Sequence, residues 1–290
     1  MKDNTAQSTN LETLIERLAI GGRNQFADCF DNFLNLALSY FCNNMDERQM
    51  ELRKKEKEDE KFRNDFVDAL KAYGDLAEDY HDPLGDIFMK RISHGEKGQF
   101  FTPEDVSLLM AEIVGVGDRE SVNDPACGTG RTLLMALKTA RAKGNEPLLY
   151  ANDLSLTCAK MTLLNFCVNS VGGEVSCGNA LTLDYDNFTF FKIDKIRGIV
   201  DGRVISTYWQ YTLANVKEVE KKRQDWWLWI AQRGWIQYHH VKSMVGTGQQ
   251  EEDSDVKVIS RDKKWVHAQV QYDPLPTEVK VDKTGQISMF

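Results

Sequence analysis

The sequence predicts an α/β fold: a largely parallel, doubly wound sheet, preceded by a helical N-terminal region and followed by a divergent, partly antiparallel β part. Three observations carry that prediction. Residues 11–80 repeat apolar positions at helical spacing. From His81 to about Tyr185, short β-rich runs alternate with helical patterns, as parallel βαβ units require. After about Asp186 this alternation stops. The implied organisation is a helical region at 1–80, an α/β core at 81–195 and a divergent β/α region with a flexible tail at 196–290.

Leu11, Leu14, Ile15 and Leu18 share one helical face, and Phe26, Phe30, Phe33, Leu34, Ala37 and Leu38 another, with Gly21-Gly22 between the two segments. A third, strongly charged helix is expected from about Asp46 to Tyr80, with Phe62, Phe66, Leu70 and Tyr73 on its buried stripe. This region reads equally as an interaction module or as a plain extension. In the core, Ser121–Asn123, Leu148–Asn152 and Glu174–Cys177 read as strands, with helices near Arg131–Lys143 and Ser155–Ser170 between them. Beyond the core, Gly198–Ile205 looks like a hairpin turning at Asp201-Gly202. Ala214–Arg233 reads as a helix, and Val256–Ser260 and Trp265–Tyr272 as strands of a separate, largely antiparallel module.

The chemistry concentrates in Asp124-Pro125-Ala126-Cys127-Gly128-Thr129-Gly130, set between a strand and a helix. Gly128 and Gly130 allow a tight turn and close backbone approach to a ligand. The following helix points free N–H groups and its positive end at that place, which suits a carboxylate. Asp124 can receive an ammonium group. Asp153 ends the next strand and can accept from two ribose hydroxyls, as acids do in dinucleotide-binding folds. Asn179, after the third strand, can hydrogen-bond adenine. The GxGxxG of dinucleotide binding and the GxxxxGK[ST] of a phosphate loop are both absent.

This glycine loop, followed by Asn152-Asp153 and Gly178-Asn179-Ala180-Leu181 and preceded by Glu96-Lys97-Gly98-Gln99-Phe100-Phe101-Thr102-Pro103, resembles the adenine-N6 DNA methyltransferases. It is most similar to the modification subunits of type I restriction systems. The resemblance covers about 81–185 and implies a Rossmann-like S-adenosylmethionine-dependent methyltransferase core. It implies that Gln99, Phe101, Thr102 and Pro103 line the methionine side of the cofactor. Asp124, Ala126, Gly128, Thr129 and Gly130 would then form the loop, with Asp153 on the ribose. It further implies methylation of the adenine amino group in DNA, with help from another subunit.

The family pattern then breaks. Its catalytic tetrapeptide, Asn/Asp/Ser-Pro-Pro-Tyr/Phe, follows the fourth strand. There it accepts hydrogen bonds from the adenine amine and stacks on a flipped base. No Pro-Pro pair occurs in this chain, and no proline lies between Pro147 and Pro274. Asp82-Pro83 and Asp273-Pro274 are the remaining Asp-Pro pairs, and Asp273, beside Tyr272, is the weak stand-in for the amine acceptor. The catalytic half therefore comes from another chain, or an unrecognised loop does the work. Otherwise the protein is a degenerate, DNA-associated accessory that binds cofactor without transferring methyl.

Composition bounds the rest. A net charge of −8 argues against unaided gripping of duplex phosphates. The run Arg53–Lys61 mixes both signs and reads as a solvated helix face. All six Trp residues lie at or beyond Trp209, and the helical spacing of Trp226, Trp229 and Ile230 favours core packing over base stacking. The six cysteines form no CxxC pair, and His239-His240 lacks further ligands nearby, so no metal is expected. With no apolar run long enough for a membrane and no signal-peptide pattern, the expectation is a cytoplasmic protein. Finally, Gln286-Ile287-Ser288-Met289-Phe290 looks like the short peptides that dock on the replication sliding clamp.

Overall fold

A computed structural model describes residues 4–22, 25–93, 100–182, 184–197 and 204–232, with short strands at 236–237, 256–262, 265–270, 280–281 and 287–288. Four helices open the chain: α1 (Asn4–Glu16), α2 (Phe26–Ser39), α3 (Glu47–Glu58) and α4 (Glu60–Leu76). The single charged helix expected between Asp46 and Tyr80 is in fact two. Asp59 leaves the helix with extended backbone, and its carboxylate accepts from Phe62 N–H, capping a new start. An Asp inside a charged run can cap as readily as it can continue a helix, and a break of one residue leaves the apolar period almost unmoved.

The short α5 (Pro83–Phe88) and α6 (Glu104–Val114) lead into the sheet. Strands β1 (Ser121–Asp124), β2 (Leu148–Asp153) and β3 (Gly173–Cys177) are parallel, linked by α7 (Arg131–Ala142) and α8 (Leu156–Val168). β4 (Thr189–Arg197) and β5 (Val204–Tyr211) follow as an antiparallel hairpin, and α9 (Val216–Gln232) comes after them. The hairpin foreseen around Asp201-Gly202 is present and longer than expected, although its turn lies outside the described residues. It is no separate module, because β4 pairs antiparallel with β3 and extends the same sheet in the order β1-β2-β3-β4-β5. The alternation along β4 explains why. Phe191 and Ile193 join the large core with α2 and α8, whereas Phe190 packs on the other face with Trp209, Tyr211 and Val216. A strand apolar on both faces belongs inside a covered sheet.

That large core is continuous from Leu11 and Phe33 through Phe66 and Tyr73 to Leu134, Leu164 and Tyr208. The segment after α2 also covers the edge of β5. Tyr208 N–H donates to Phe41 O (2.9 Å), and Asn43 N–H donates to Tyr208 O (2.9 Å). Gln210 N–H donates to Asn44 Oδ1 (2.8 Å), and Asn44 Nδ2 donates to Gln210 O (2.6 Å). Trp209 and Trp227 are buried, as core packing requires, and Trp226 packs edge-on to both. No helix among the described residues is long and apolar enough to cross a membrane.

Candidate cofactor crevice

The loops that leave β1, β2 and β3 meet at the carboxyl ends of these strands, where open α/β sheets bind ligands. One side chain ties them together. Asn152, near the end of β2, donates through Nδ2 to Pro125 O (3.2 Å) in the first loop and to Gly178 O (3.0 Å) in the third. Its Oδ1 accepts from Ser176 Oγ (2.9 Å). Cys127 N–H donates to Asn152 O (2.9 Å), and Gly178 N–H to Asp153 O (3.0 Å). Asn152 entered the sequence reading only as the neighbour of Asp153. Its bracing role depends on which loops face each other.

The glycine loop has the shape the sequence demands. Gly128 and Gly130 sit at φ +57° and +77°, where L side chains are strained. A Cβ on Gly128 would lie 2.7 Å from the Phe101 ring, and one on Gly130 would lie 2.8 Å from Thr162. Gly130 starts α7 with no side-chain cap, which leaves the first-turn N–H groups to a ligand or to solvent. Asp153 holds the loop by accepting from Gly128 N–H (2.9 Å) on one oxygen and from Ser155 N–H (2.8 Å) on the other. Each carboxylate oxygen keeps a second lone pair free for a hydroxyl donor.

Asp124 accepts from Ala126 N–H (3.1 Å). Burial lifts its carboxyl above the ordinary 3.8, Asp153 adds to the rise, and no basic side chain among the described residues offsets it. Two carboxylates sharing a crevice suit a positively charged ligand. Cys127 is unsuited to nucleophilic work, because burial pushes its thiol far above the ordinary range.

Of the remaining expected residues, Phe101 is half-buried and stacks on Phe88 at 5.8 Å, beneath Gly128. Thr102 and Pro103 follow it into α6, while Gln99 lies outside the described residues. Thr129 turns inward, its hydroxyl donating to Asp82. Asn179 Oδ1 accepts from Leu181 N–H (3.0 Å), so the amide nitrogen is the part suited to a ring nitrogen of adenine. Asp273 and His239-His240 lie outside the described residues. Of the C-terminal pentapeptide only Ile287 and Ser288 are described, in a two-residue strand paired with Lys280–Val281.

Two features escaped the sequence reading. Leu154, directly after β2, and Leu181, four residues after β3, are 72% and 94% exposed at the crevice rim, where a flat apolar base has a surface to lie on. Behind the loop, Asp82 is fully buried and accepts from Thr129, Asn165 Nδ2 (3.0 Å), Gly85 N–H (3.0 Å) and Arg131 Nη2 (3.1 Å). Asp82-Pro83 is thus a structural brace that also caps α5. The burial that reveals Asp82 is a tertiary property, and so is the exposure of Leu154 and Leu181, since a Leu after Asp153 or Ala180 has no distinctive pattern. The residues therefore fit S-adenosylmethionine: Asp124 for its ammonium, the glycine loop and first turn of α7 for its carboxylate, Asp153 for its ribose and the apolar rim for its adenine.

A family model described as N-6 DNA methylase matches residues 80–232. The type I restriction enzyme MjaVIII methylase subunit of Methanocaldococcus jannaschii is 29% identical over 119 residues, 39% of this chain and 21% of that protein. The MjaVII methylase subunit of the same organism is 27% identical over 161 residues, 52% and 26% of the two chains. The chain thus spans about a fifth to a quarter of the length of these curated relatives. A solved structure assigned to the class I S-adenosylmethionine-dependent methyltransferases, from Listeria monocytogenes, is 16% identical with a TM-score of 0.41, covering 59% of this chain and 53% of that one.

Proposed function

This chain belongs to the N-6 DNA methylase family, whose cofactor is S-adenosylmethionine, and we propose that it forms the cofactor-binding half of an adenine-N6 DNA methyltransferase. The observation that carries this reading is the convergence of three strand-end loops, braced by Asn152, around two carboxylates that no basic side chain among the described residues neutralises. When bound, the cofactor supplies a methyl group activated on a sulfonium. Asp124 holds the amino-acid end in register, and Asp153 holds the ribose while keeping the Gly128 loop in place. Phe101, with Gln99, Thr102 and Pro103, closes over the methionine side. Asn179 reads the adenine ring. Orientation of this kind is the main contribution such a crevice makes to a direct transfer.

Among the described residues, no group that would accept hydrogen bonds from the target amine is brought to the crevice, and the sequence holds no Pro-Pro pair. In this reading the 290 residues act on DNA together with another subunit that completes the catalytic half. A chain that binds cofactor and transfers nothing, even when complemented, is the alternative the missing tetrapeptide favours. Calorimetric titration with S-adenosylmethionine decides the first point. We expect one site per chain and a strong loss of affinity in Asp153→Ala; absence of heat in the intact protein would falsify the assignment. Transfer of labelled methyl to adenine-containing DNA, with and without co-purifying subunits, separates the catalytic reading from the accessory one.

The reading extends to clamp docking through Gln286, Ile287, Ser288, Met289 and Phe290, on the strength of the pattern alone. A pulldown on immobilised sliding clamp with a chain lacking 286–290 should show no retention. Equal retention of both forms ends that idea.

A further inference from the structure

The two edges of the sheet are treated differently. β5 is covered by the 41–44 segment, whereas β1 pairs with β2 alone among the described residues, so its outer edge is open. The helix layer runs in the same direction. α8 packs on β2 and β3, α7 on β1, and α6 packs on α7, joined to β1 by the connection 115–120. α6 therefore overhangs the open edge. It buries Ser107 and Ala111, yet leaves Val106, Leu109, Met110, Ile113 and Val114 exposed, the last two by 76% and 72%. A helix apolar on both faces belongs between two partners. Beside an unpaired strand, such a patch marks an interaction surface.

We propose that the free edge of β1 and the outer face of α6 dock a second polypeptide, which adds a strand parallel to β1 and covers α6 with aliphatic side chains ringed by basic ones. The ring follows from charge. Along α6 and the connection after it, Asp105, Glu112, Asp118 and Glu120 stand exposed, and Arg119 is the one basic residue of 104–120. That rim repels nucleic-acid phosphates and a second copy of itself, and it attracts Lys and Arg. The direction follows from the crevice. It opens at the carboxyl ends of β1–β3, and ligand crevices form where neighbouring strands send their connections opposite ways. A parallel addition places its carboxyl end beside Asp124 and gives the crevice its second wall. The described part of this chain does not supply that strand, since β4 and β5 add at the far edge, beyond β3.

This inference rests on the crevice being the cofactor site, and the experiment keeps the two apart. A photo-crosslinking residue is placed at Ile113, and as a control at Lys57, in the full chain expressed in its own cells. The polypeptide joined at Ile113 is identified by mass spectrometry, purified and titrated onto the wild-type chain, with amide exchange read at 121–124. The expected result is a crosslink from Ile113 and not from Lys57, slowed exchange across β1, and at least tenfold weaker binding by Ile113→Asp with cofactor heat unchanged. Any of three results overturns the proposal: no crosslink above the control, a crosslink to another copy of this chain only, or a bound partner that leaves β1 exchanging freely. Loss of cofactor heat in the unmodified chain would sink the crevice assignment instead.

Discussion

Asp124 stands where stability and ligand binding pull in opposite directions. Its folded pKa lies above the ordinary 3.8, so the folded chain holds the proton more tightly than the unfolded chain does. Ionised Asp124 therefore costs stability at neutral pH, and the cost is relieved as pH falls through the raised value. Asp124→Asn removes the charge and keeps an oxygen for Ala126 N–H. The melting temperature should stay level or rise. Cofactor affinity should fall by a factor of about 10 to 100, the worth of one hydrogen bond to a charged group. In the wild type, calorimetry from pH 8 to pH 5 should show affinity declining at a higher pH than an unperturbed carboxylate would give. A variant that melts lower yet binds equally well would refute both halves of this account.

Among elements, the junction of α6 with the start of α5 carries a titratable contact. His81 Nδ1 lies 2.5 Å from Glu104 Oε1, which also accepts from Asp82 N–H (3.2 Å). The Glu104 hydrogen bond raises the imidazole above its ordinary 6.5. Burial pushes Glu104 up, but His81, the Asp82 N–H and Arg131 together outweigh it and leave the carboxyl below its ordinary 4.5. The histidine's contribution is complete below 6.5 and fades as pH rises through its raised folded value. The glutamate's is complete above 4.5 and fades as pH falls through its lowered one. The contact is therefore strongest in mildly acidic solution. His81→Gln should cost about 1 kcal/mol at pH 6 and clearly less at pH 9, as measured by urea unfolding. Equal losses at both pH values would show that the pair contributes no charge interaction.

For the whole molecule, the helical region and the α/β core share one interior, despite the division at residue 80 that the change of texture invites. Tyr73 OH donates to Asn165 Oδ1 (2.9 Å), joining α4 to α8, and Lys160 Nζ donates to Asn35 Oδ1 (2.6 Å), joining α8 to α2. Lys90 and Arg91 pair with the buried Glu12 of α1 at 2.7 and 3.0 Å. A fragment beginning at residue 81 would lose α2 and α4 from against α8 and uncover the helix face that carries Lys160 and Asn165. It should lack a cooperative thermal transition and near-ultraviolet dichroism, whereas the full chain should show one transition across the described fold. A fragment that melts cooperatively would restore the boundary.

The glycine loop, the acids at the ends of β1 and β2, and the helix–strand alternation were legible because each rests on local chemistry: a residue without Cβ, a carboxylate at a fixed offset, a period of two or 3.6. The break at Asp59, the bracing by Asn152 and Asp82, and the antiparallel addition of β4 to β3 were not. Asp82 reads as half of an ordinary Asp-Pro turn until Thr129, Arg131 and Asn165 close around it from distant parts of the chain. The family kinship and the cofactor were therefore determined by the sequence itself. Tertiary structure alone decided that, among the described residues, β1 ends the sheet and α6 overhangs it bare, because strand order and burial depend on which distant segments meet, and no local pattern encodes that.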